Sequence, residues 1–482
     1  MNNKYITAAI DYVNGSPHLG HALEKIYADV YSRHLRRKNN VFFLMGTDEN
    51  SLKNVRSAEK EGVVVSDLVD QNALKFQNMK EALNLSYDDF IRTTQERHFL
   101  GAQKLWKACE KDIYKKTYRG LYCVGCEEYY KEEDLEDGCC PIHKTKLEVV
   151  EEENFFFKLT NYQKQLEEII ENDTVKIIPE TRKNEVLSFI KSGLQDFCIS
   201  RSNERAKGWG IDTPGDDTQK MWVWFDALSS YISALGYASN ESNFEEFWTK
   251  GEITHIIGKD ILRFHAIYWI AMLLSADLKL PDKILTHGFI TVNNQKMSKS
   301  LGNVIDPFEL FSKYGIDPVR YFLLSEFKST GDGDFSYEKF ENKYNADLSS
   351  GLGNLVSRVL TLVEKKNLIG KEIIVSEEFK KGVDESILKC NRLLDDFEFN
   401  EAINTIWELM RVLDKYIEEK KPWAITDEKE LVEIFSKLIY GIRSIAEMLS
   451  PLLPETSEKI LSFLGEEGKM NSINKEILFP RL

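Results

Sequence analysis

Apolar runs long enough to cross a bilayer, about eighteen residues, are missing from this 482-residue sequence. The longest candidate, Trp269 to Ala276, falls far short of that length. A secretory signal is missing too: the opening MNNKYITAAIDYVNG has no basic start, apolar core or small-residue cleavage site. The expectation is a cytoplasmic protein with no membrane partner. Positive charge is in deficit, with 63 Lys and Arg against 78 Asp and Glu and a net charge of -15. That excludes a generic nucleic-acid coat, which needs an excess of basic residues. Selective RNA binding through a few placed side chains is compatible with it. A disulfide framework is excluded as well, because the cysteines number an odd seven and four of them fall between Cys123 and Cys140. Such clustering points to a metal. The sequence has no convincing internal repeat, low-complexity tract or disordered tail.

What is present is a folded composition, 42% hydrophobic and 29% charged, in a chain long enough for two or three domains. An apolar segment from Tyr5 to Ile10 is followed by Asn14-Gly15-Ser16-Pro17 and then a long pattern from Gly20. This predicts strand, turn and helix. In the helix Leu23, Tyr27, Val30 and His34 or Leu35 recur at three or four residue spacing, and Glu24, Lys25 and Arg33 fall off that stripe. A second strand, Val41 to Met45, follows at once. The spacing fits a parallel α/β unit, in which ligands bind beyond the carboxyl ends of the strands. Between Glu127 and Glu153 the texture changes, with eleven Asp or Glu against three Lys, as expected of an inserted module. The α/β pattern resumes at Ile253 to Ile257 and Ile284 to Leu285, around a helix-like stretch from Ile261 to Leu274. After Lys339 helical periodicity takes over, through Leu348, Leu352, Leu355 and Val359 and again through Ile403, Ile406, Trp407, Met410 and Leu413. This predicts a helical bundle.

Pro17-His18-Leu19-Gly20-His21 stands where the first strand turns into its helix. Helix N-termini favour anions, so backbone N–H groups and two imidazoles can face a polyphosphate there. Gly20 would allow close approach, and His18 and His21 could donate to charge developing in a phosphoryl-type transition state. Alone, two histidines at a turn read as ordinary surface or capping residues. The loop Lys296-Met297-Ser298-Lys299-Ser300, followed by Leu301-Gly302-Asn303, adds two lysines able to neutralise a triphosphate and a leaving pyrophosphate.

The HxGH turn after the first strand together with a late KMSKS loop resembles the class I aminoacyl-tRNA synthetases. The resemblance implies a Rossmann-type domain in which both segments flank ATP and promote attack of an amino-acid carboxylate on the α-phosphate. It implies catalytic roles for His18, His21, Lys296 and Lys299, and ATP contacts, with Mg2+, from His18, Gly20, His21, Glu24, Gly258, Asp260 and Lys299. Without it, Gly258-Lys259-Asp260 reads as a strand-to-helix turn with an Asp cap.

Within that class the chain is similar to the methionyl-tRNA synthetase family, from Ala9-Ile10-Asp11-Tyr12-Val13-Asn14-Gly15 to Leu478-Phe479-Pro480-Arg481. By that similarity Ile10, Tyr12, Trp224, Ala227, Leu228, Tyr231, His265 and Trp269 line a methionine site. Asp48 of Gly46-Thr47-Asp48-Glu49 would hold the α-ammonium group. A thioether packs well on aromatic rings, which suits such a lining. The chain departs from the family at Asn50-Ser51, where His-Gly is common, and carries Leu228 where other members have proline. Without the family, His265 reads as a core histidine.

Cys123-Val124-Gly125-Cys126 and Cys140-Pro141-Ile142-His143 are metal-ligand pairs separated by thirteen residues. The spacing predicts tetrahedral zinc held by Cys123, Cys126, Cys140 and His143, a filled shell and so a structural site. Cys139 is a spare thiol able to replace Cys140, with Cys-x-x-His spacing and the family's one-zinc members favouring Cys140. In the helical region Asn354 and Arg358 share a helix face at i and i+4, and Lys421-Pro422-Trp423 adds an aromatic. On bare sequence these read as a helix-surface pair and a buried Trp. The resemblance makes Asn354, Arg358 and Trp423 anticodon readers for tRNA(Met), using edge hydrogen bonds and stacking.

The expected fold class is therefore α/β: a Rossmann-type catalytic domain, first half 1–114 and second half 216–338, interrupted by a zinc-bearing insertion at 115–215. A helical anticodon-binding domain is expected over 339–482, and a monomer is the expected state. Another HxGH nucleotidyltransferase, of pantothenate-ligase or cytidylyltransferase type, has no place for the insert and bundle. A synthetase for leucine, isoleucine, valine or cysteine lacks the Trp and His pocket, and intact His18, His21, Lys296 and Lys299 argue against a non-catalytic RNA-binding relative.

Overall fold

The computed structural model describes residues 2–125, 128–141, 144–239, 242–297, 302–472 and 476–482. The chain divides into two compact units. One comprises Met1–Pro17, Lys38–Lys80 and Ser86–His287, the other His18–Arg37, Glu81–Leu85 and Gly288–Leu482.

The first unit is built on a parallel sheet. Its strands are β1 (Asn3–Ala8), β2 (Asp11–Tyr12), β3 (Asn40–Asp48), β4 (Asp89–Arg92), β5 (Lys176–Ile178), β6 (Glu252–Gly258) and β7 (Lys283–His287). They lie in the order β2-β3-β1-β6-β7-β5, with β4 also paired to β3. Every pairing is parallel. Such a sheet is covered on both faces, which explains why its strands read as near-continuous apolar runs. Phe43, Leu44 and Met45 in β3 and Ile253, Ile256 and Ile257 in β6 are all buried. Because β1 has β3 on one side and β6 on the other, the chain winds outward from it in both directions. In such sheets ligands bind beyond the carboxyl ends of the strands at that switch point. The strands expected at Val41–Met45, Ile253–Ile257 and Ile284–Leu285 run a little longer than their apolar cores, and the one expected over Tyr5–Ile10 lies over Asn3–Ala8. Lys176–Ile178 lies inside the stretch read as an insertion, yet it extends this sheet beside β7; three residues are too few to show a period.

Most of the cysteine-bearing segment is an antiparallel ribbon. Ile113–Cys123 pairs with Glu148–Phe157 from Ile113 opposite Phe157 to Tyr122 opposite Glu148. Glu128–Tyr130 and Phe197–Cys198 extend it to four strands. Helix Val223–Ser233 is buried along its whole length, Asp226, Ser229, Ser230 and Ser233 included. The helix-like stretch read from Ile261 winds with wide i→i+5 turns over Phe264–Trp269 and continues as an α-helix over Ile270–Ser275.

In the second unit, helix Leu19–Arg36 is also buried nearly all round, Glu24, Lys25 and Asp29 included. The expectation that Glu24 and Lys25 lie off the buried stripe is corrected here: they pair with each other at 2.7 Å. Asp29 accepts from Arg33 and from the fully buried Arg320, each at 2.8 Å. Arg320 also donates to the carbonyls of Leu452 and Leu83 at 2.9 and 3.0 Å. Removing one partner of such a pair costs about 3–5 kcal/mol, because the other charge is left buried. The bundle consists of Asn354–Lys365, Glu377–Asp395, Phe399–Lys420, Glu428–Leu449 and Pro454–Leu464. Phe399, Ala402, Ile403, Ile406, Trp407, Met410, Leu413 and Ile417 form one buried stripe, the 3.6-residue period expected of a core-facing helix. Among the described residues no helix is long and apolar enough to cross a membrane.

Candidate active site

In the second unit His18 caps its helix: Nδ1 accepts from Gly20 N–H at 3.1 Å, and His18 N–H donates to His21 Nδ1 at 3.0 Å. Each Nδ1 is thus an acceptor, so each neutral ring carries its proton on Nε2. The rings stack at 3.7 Å and 20°, which aligns two Nε2–H donors. Burial, and secondarily the charge of Lys25, pushes the His21 pKa down to about 3. At neutral pH His21 is therefore a fixed neutral donor, not a cation. A Cβ on Gly20 would lie 3.0 Å from His18 Cε1 and 3.7 Å from Met297 Cε, so a side chain there would crowd the His18 ring. The same contact brings Met297, in the KMSKS sequence, to the HxGH turn. Leu19 N–H donates to Ile305 O just beyond the loop, at 3.2 Å. Lys299 lies outside the described residues, and for Lys296 the backbone strand Gln295–Lys296 is described but not the side chain.

In the first unit the register of β2 on β3 sets Tyr12 beside Asp48 at the carboxyl end of the sheet. Glu49 is held apart in a bidentate pair with Arg92, at 2.7 and 3.0 Å. Tyr12 meets Trp224 edge-on at 6.3 Å, and Trp224 stacks on Phe264 at 3.8 Å and 7°. Ile91 and Ile10 together leave no room for a side chain at Gly46, where a Cβ would be 2.5 Å from Ile91 Cγ2 and 2.9 Å from Ile10 Cγ2. Tyr231 Oη lies 2.8 Å from His265 Nε2, and His265 Nδ1 lies 2.9 Å from Ile261 O. A carbonyl only accepts, so in the neutral ring Nδ1 carries the proton and Tyr231 O–H donates to Nε2. Trp269 packs edge-on against Tyr231 at 6.2 Å. Ala227 and Leu228 are buried on the same helix as Trp224 and Tyr231. At the end of β6, a Cβ on Gly258 would be 2.8 Å from Asp260 Oδ1, so the turn requires glycine for the Asp260 carboxylate to fold back.

Sequence reasoning missed the polar layer behind these residues. Asn50 Nδ2 donates to Asp226 Oδ2 at 2.8 Å and to Thr93 O at 3.0 Å. His98 bonds the other Asp226 oxygen and reaches Ser233 Oγ at 2.8 Å. The Asn50 departure therefore still supplies an N–H to the helix that carries Trp224 and Tyr231. The available signal was a charged residue, Asp226, in an otherwise apolar run.

The Cys123 and Cys140 thiols are 1% and 0% exposed. Cys123 ends the ribbon strand, and Cys140 N–H donates to Thr145 O in the intervening loop. Cys126 and His143 lie outside the described residues, among which no cluster of three metal-binding side chains occurs. In the bundle the Arg358 guanidinium lies 5.2 Å from the Trp423 ring centroid. Lys421, at φ 47, turns the chain after Phe399–Lys420, and Trp423 stands 45% exposed, not buried as its bare sequence suggests. Asn354 is exposed one turn before Arg358, and Arg358 also pairs with Glu418 at 2.6 Å.

Comparison with known proteins agrees with this geometry. The family described as tRNA synthetases class I (M) matches residues 4–146 and 130–360, and the anticodon-binding domain of tRNA ligase matches residues 378–481. The methionine–tRNA ligase of Brucella suis is 41% identical over 96% of this chain and 91% of its own length. That of Fusobacterium nucleatum is 38% identical over 98% of this chain and 76% of its own. The solved structure of Mycobacterium tuberculosis methionyl-tRNA synthetase in complex with methionyl-adenylate superposes with a TM-score of 0.95 at 34% identity, covering 100% of both chains. The apo form of that enzyme gives 0.87 at 32% identity, covering 100% of this chain and 98% of its own. By family match, by identity over nearly its whole length and by fold, the chain belongs to the class I methionyl-tRNA synthetases.

Proposed function

We propose that this chain performs its family's two-step reaction with the residues described above in defined roles. Methionine carboxylate oxygen attacks the α-phosphorus of ATP, the bond to the β-phosphate oxygen breaks, and pyrophosphate leaves to give methionyl-adenylate. A hydroxyl at the 3′ end of tRNA(Met) then takes the methionyl group and AMP leaves. Asp48 holds the α-ammonium group. Ile10, Tyr12, Trp224, Ala227, Leu228, Tyr231, His265 and Trp269 receive the side chain. His18 and His21, fixed as neutral Nε2–H donors, meet charge developing on the phosphates, with Gly20 and Glu24 beside them. Lys296 and Lys299 neutralise the triphosphate and its Mg2+ complex, and Gly258 and Asp260 serve the ribose. Preorganised donors of this kind stabilise a transition state without reorganising during reaction. The observation that carries the reading is a pair of ring contacts joined by one helix: Tyr12, beside Asp48, meets Trp224, and further along that helix Tyr231 meets Trp269 and His265.

ATP–pyrophosphate exchange driven in turn by each of the twenty amino acids tests this directly. Methionine alone should support rapid exchange; a preference for another amino acid overturns the specificity, and no exchange overturns the activation step.

Asn354, Arg358 and Trp423 read the anticodon, Trp423 by stacking and the other two by edge hydrogen bonds. Base stacking on an aromatic is worth about ten- to hundredfold in binding. Trp423→Ala should therefore lower kcat/KM for tRNA by about that factor while leaving pyrophosphate exchange unchanged. Equal losses in both assays would remove Trp423 from this role.

Cys123, Cys126, Cys140 and His143 hold one structural zinc. Three thiolates and an imidazole are a donor set that suits tetrahedral zinc, and the two described thiols are fully buried. The ion would tie the loop to the ribbon and take no part in the chemistry. Protein purified without added zinc should contain one equivalent, and chelation should lower its melting temperature. A metal-free preparation with unchanged melting would refute the site.

A further inference from the structure

The middle of β6 carries a histidine that belongs to none of the sequence motifs. His255 is 0% exposed and stands between Thr7 of β1, its register partner, and the Trp269 indole. An indole N–H can only donate. Trp269 Nε1, 3.3 Å from His255 Nε2, thus fixes that nitrogen as an unprotonated acceptor. The ring proton is then on Nδ1, which donates to Thr7 Oγ1 at 2.7 Å. The same imidazole packs against Tyr231 at 4.5 Å and 34°, and Tyr231 is the residue whose hydroxyl donates to His265. His255 therefore touches two aromatic residues assigned to the methionine side chain, one through a directional hydrogen bond and one through tilted ring packing.

We propose that His255 is a positioning residue for methionine recognition: braced by Thr7, its Nε2 lone pair sets the rotation of the Trp269 indole and so the shape of the thioether site. The inference rests on the reading that Trp269 lines that site. Burial, with the nearby His265 as a secondary cause, holds the His255 pKa well below the usual histidine range, so the acceptor persists at neutral pH. Buried indole N–H groups are usually hydrogen-bonded. Without an acceptor at position 255 the ring is free to turn toward another one, and the wall it forms moves with it.

Four single variants and one double variant in ATP–pyrophosphate exchange, each with a melting curve, test the role. His255→Leu should raise KM for methionine by about tenfold, the worth of one lost hydrogen bond, with KM for ATP unchanged. His255→Gln keeps an acceptor and should recover part of the loss. Thr7→Val is nearly isosteric, so it removes the brace without repacking the sheet, and it should give a smaller rise in the same constant. Trp269→Phe removes the N–H while keeping a ring, and it should raise KM for methionine on its own. In that background His255→Leu should add nothing further, because the bond it breaks is already gone. An unchanged KM in Trp269→Phe would refute the placement of Trp269 in the site. A raised KM there, with none in His255→Leu or Thr7→Val, or with effects that multiply in the double variant, would leave the site reading standing and overturn the role of His255.

Discussion

The parallel pairing of β1 with β6 on one side and β3 on the other is the constraint on which the first unit depends. Its register sets Thr7 opposite His255 and Ala8 opposite Ile256, while β2 on β3 sets Tyr12 opposite Asp48. In a strand, successive side chains point to opposite faces, so a slip of one residue would turn Thr7 away from His255. It would also carry Ile10 and Tyr12 away from the point where the sheet changes winding direction. The apolar runs of β1, β3 and β6 bury both faces, and that burial is what holds the register.

Against this apolar ground stand buried polar groups, several of them held by side-chain partners. Two of the imidazoles, His21 and His255, are kept uncharged at neutral pH by burial. A neutral imidazole has one donor and one acceptor, so a single hydrogen bond decides which is which. His21 accepts at Nδ1 from a backbone N–H and offers Nε2–H. His255 accepts at Nε2 from Trp269 and gives Nδ1–H to Thr7. The two rings are fixed in opposite tautomers by their surroundings, one suited to donate to a phosphate and the other to hold an indole.

Much of this was legible in the sequence, and the division has a physical basis. The HxGH turn was readable because its cap, glycine and imidazoles are contiguous, so local geometry alone makes the arrangement. The helical end was readable from the stripe Ile403 to Leu413. The nearness of Arg358 to Trp423 came only from family resemblance, since 65 positions separate them in the chain and only the bundle joins them. The layer of Asp226, His98 and Asn50 was not read at all. Its members are far apart in sequence, so no local pattern joins them. His255 was hidden inside the run Ile253 to Ile257. A polar residue in a strand buried on both faces must have a partner, and that rule would have marked it. Glu24 and Lys25 show the converse, because a helix buried all round takes charged residues inside when they neutralise each other.

The measurement that tests this account most directly is the nitrogen-15 spectrum of the histidine rings, assigned by single substitutions and followed from about pH 8 to about pH 5, a range spanning the usual histidine pKa. The account predicts that His21 and His255 stay neutral throughout, with the proton on Nε2 in His21 and on Nδ1 in His255. Titration of either ring near the ordinary histidine value, or the reverse tautomer in either, would contradict it.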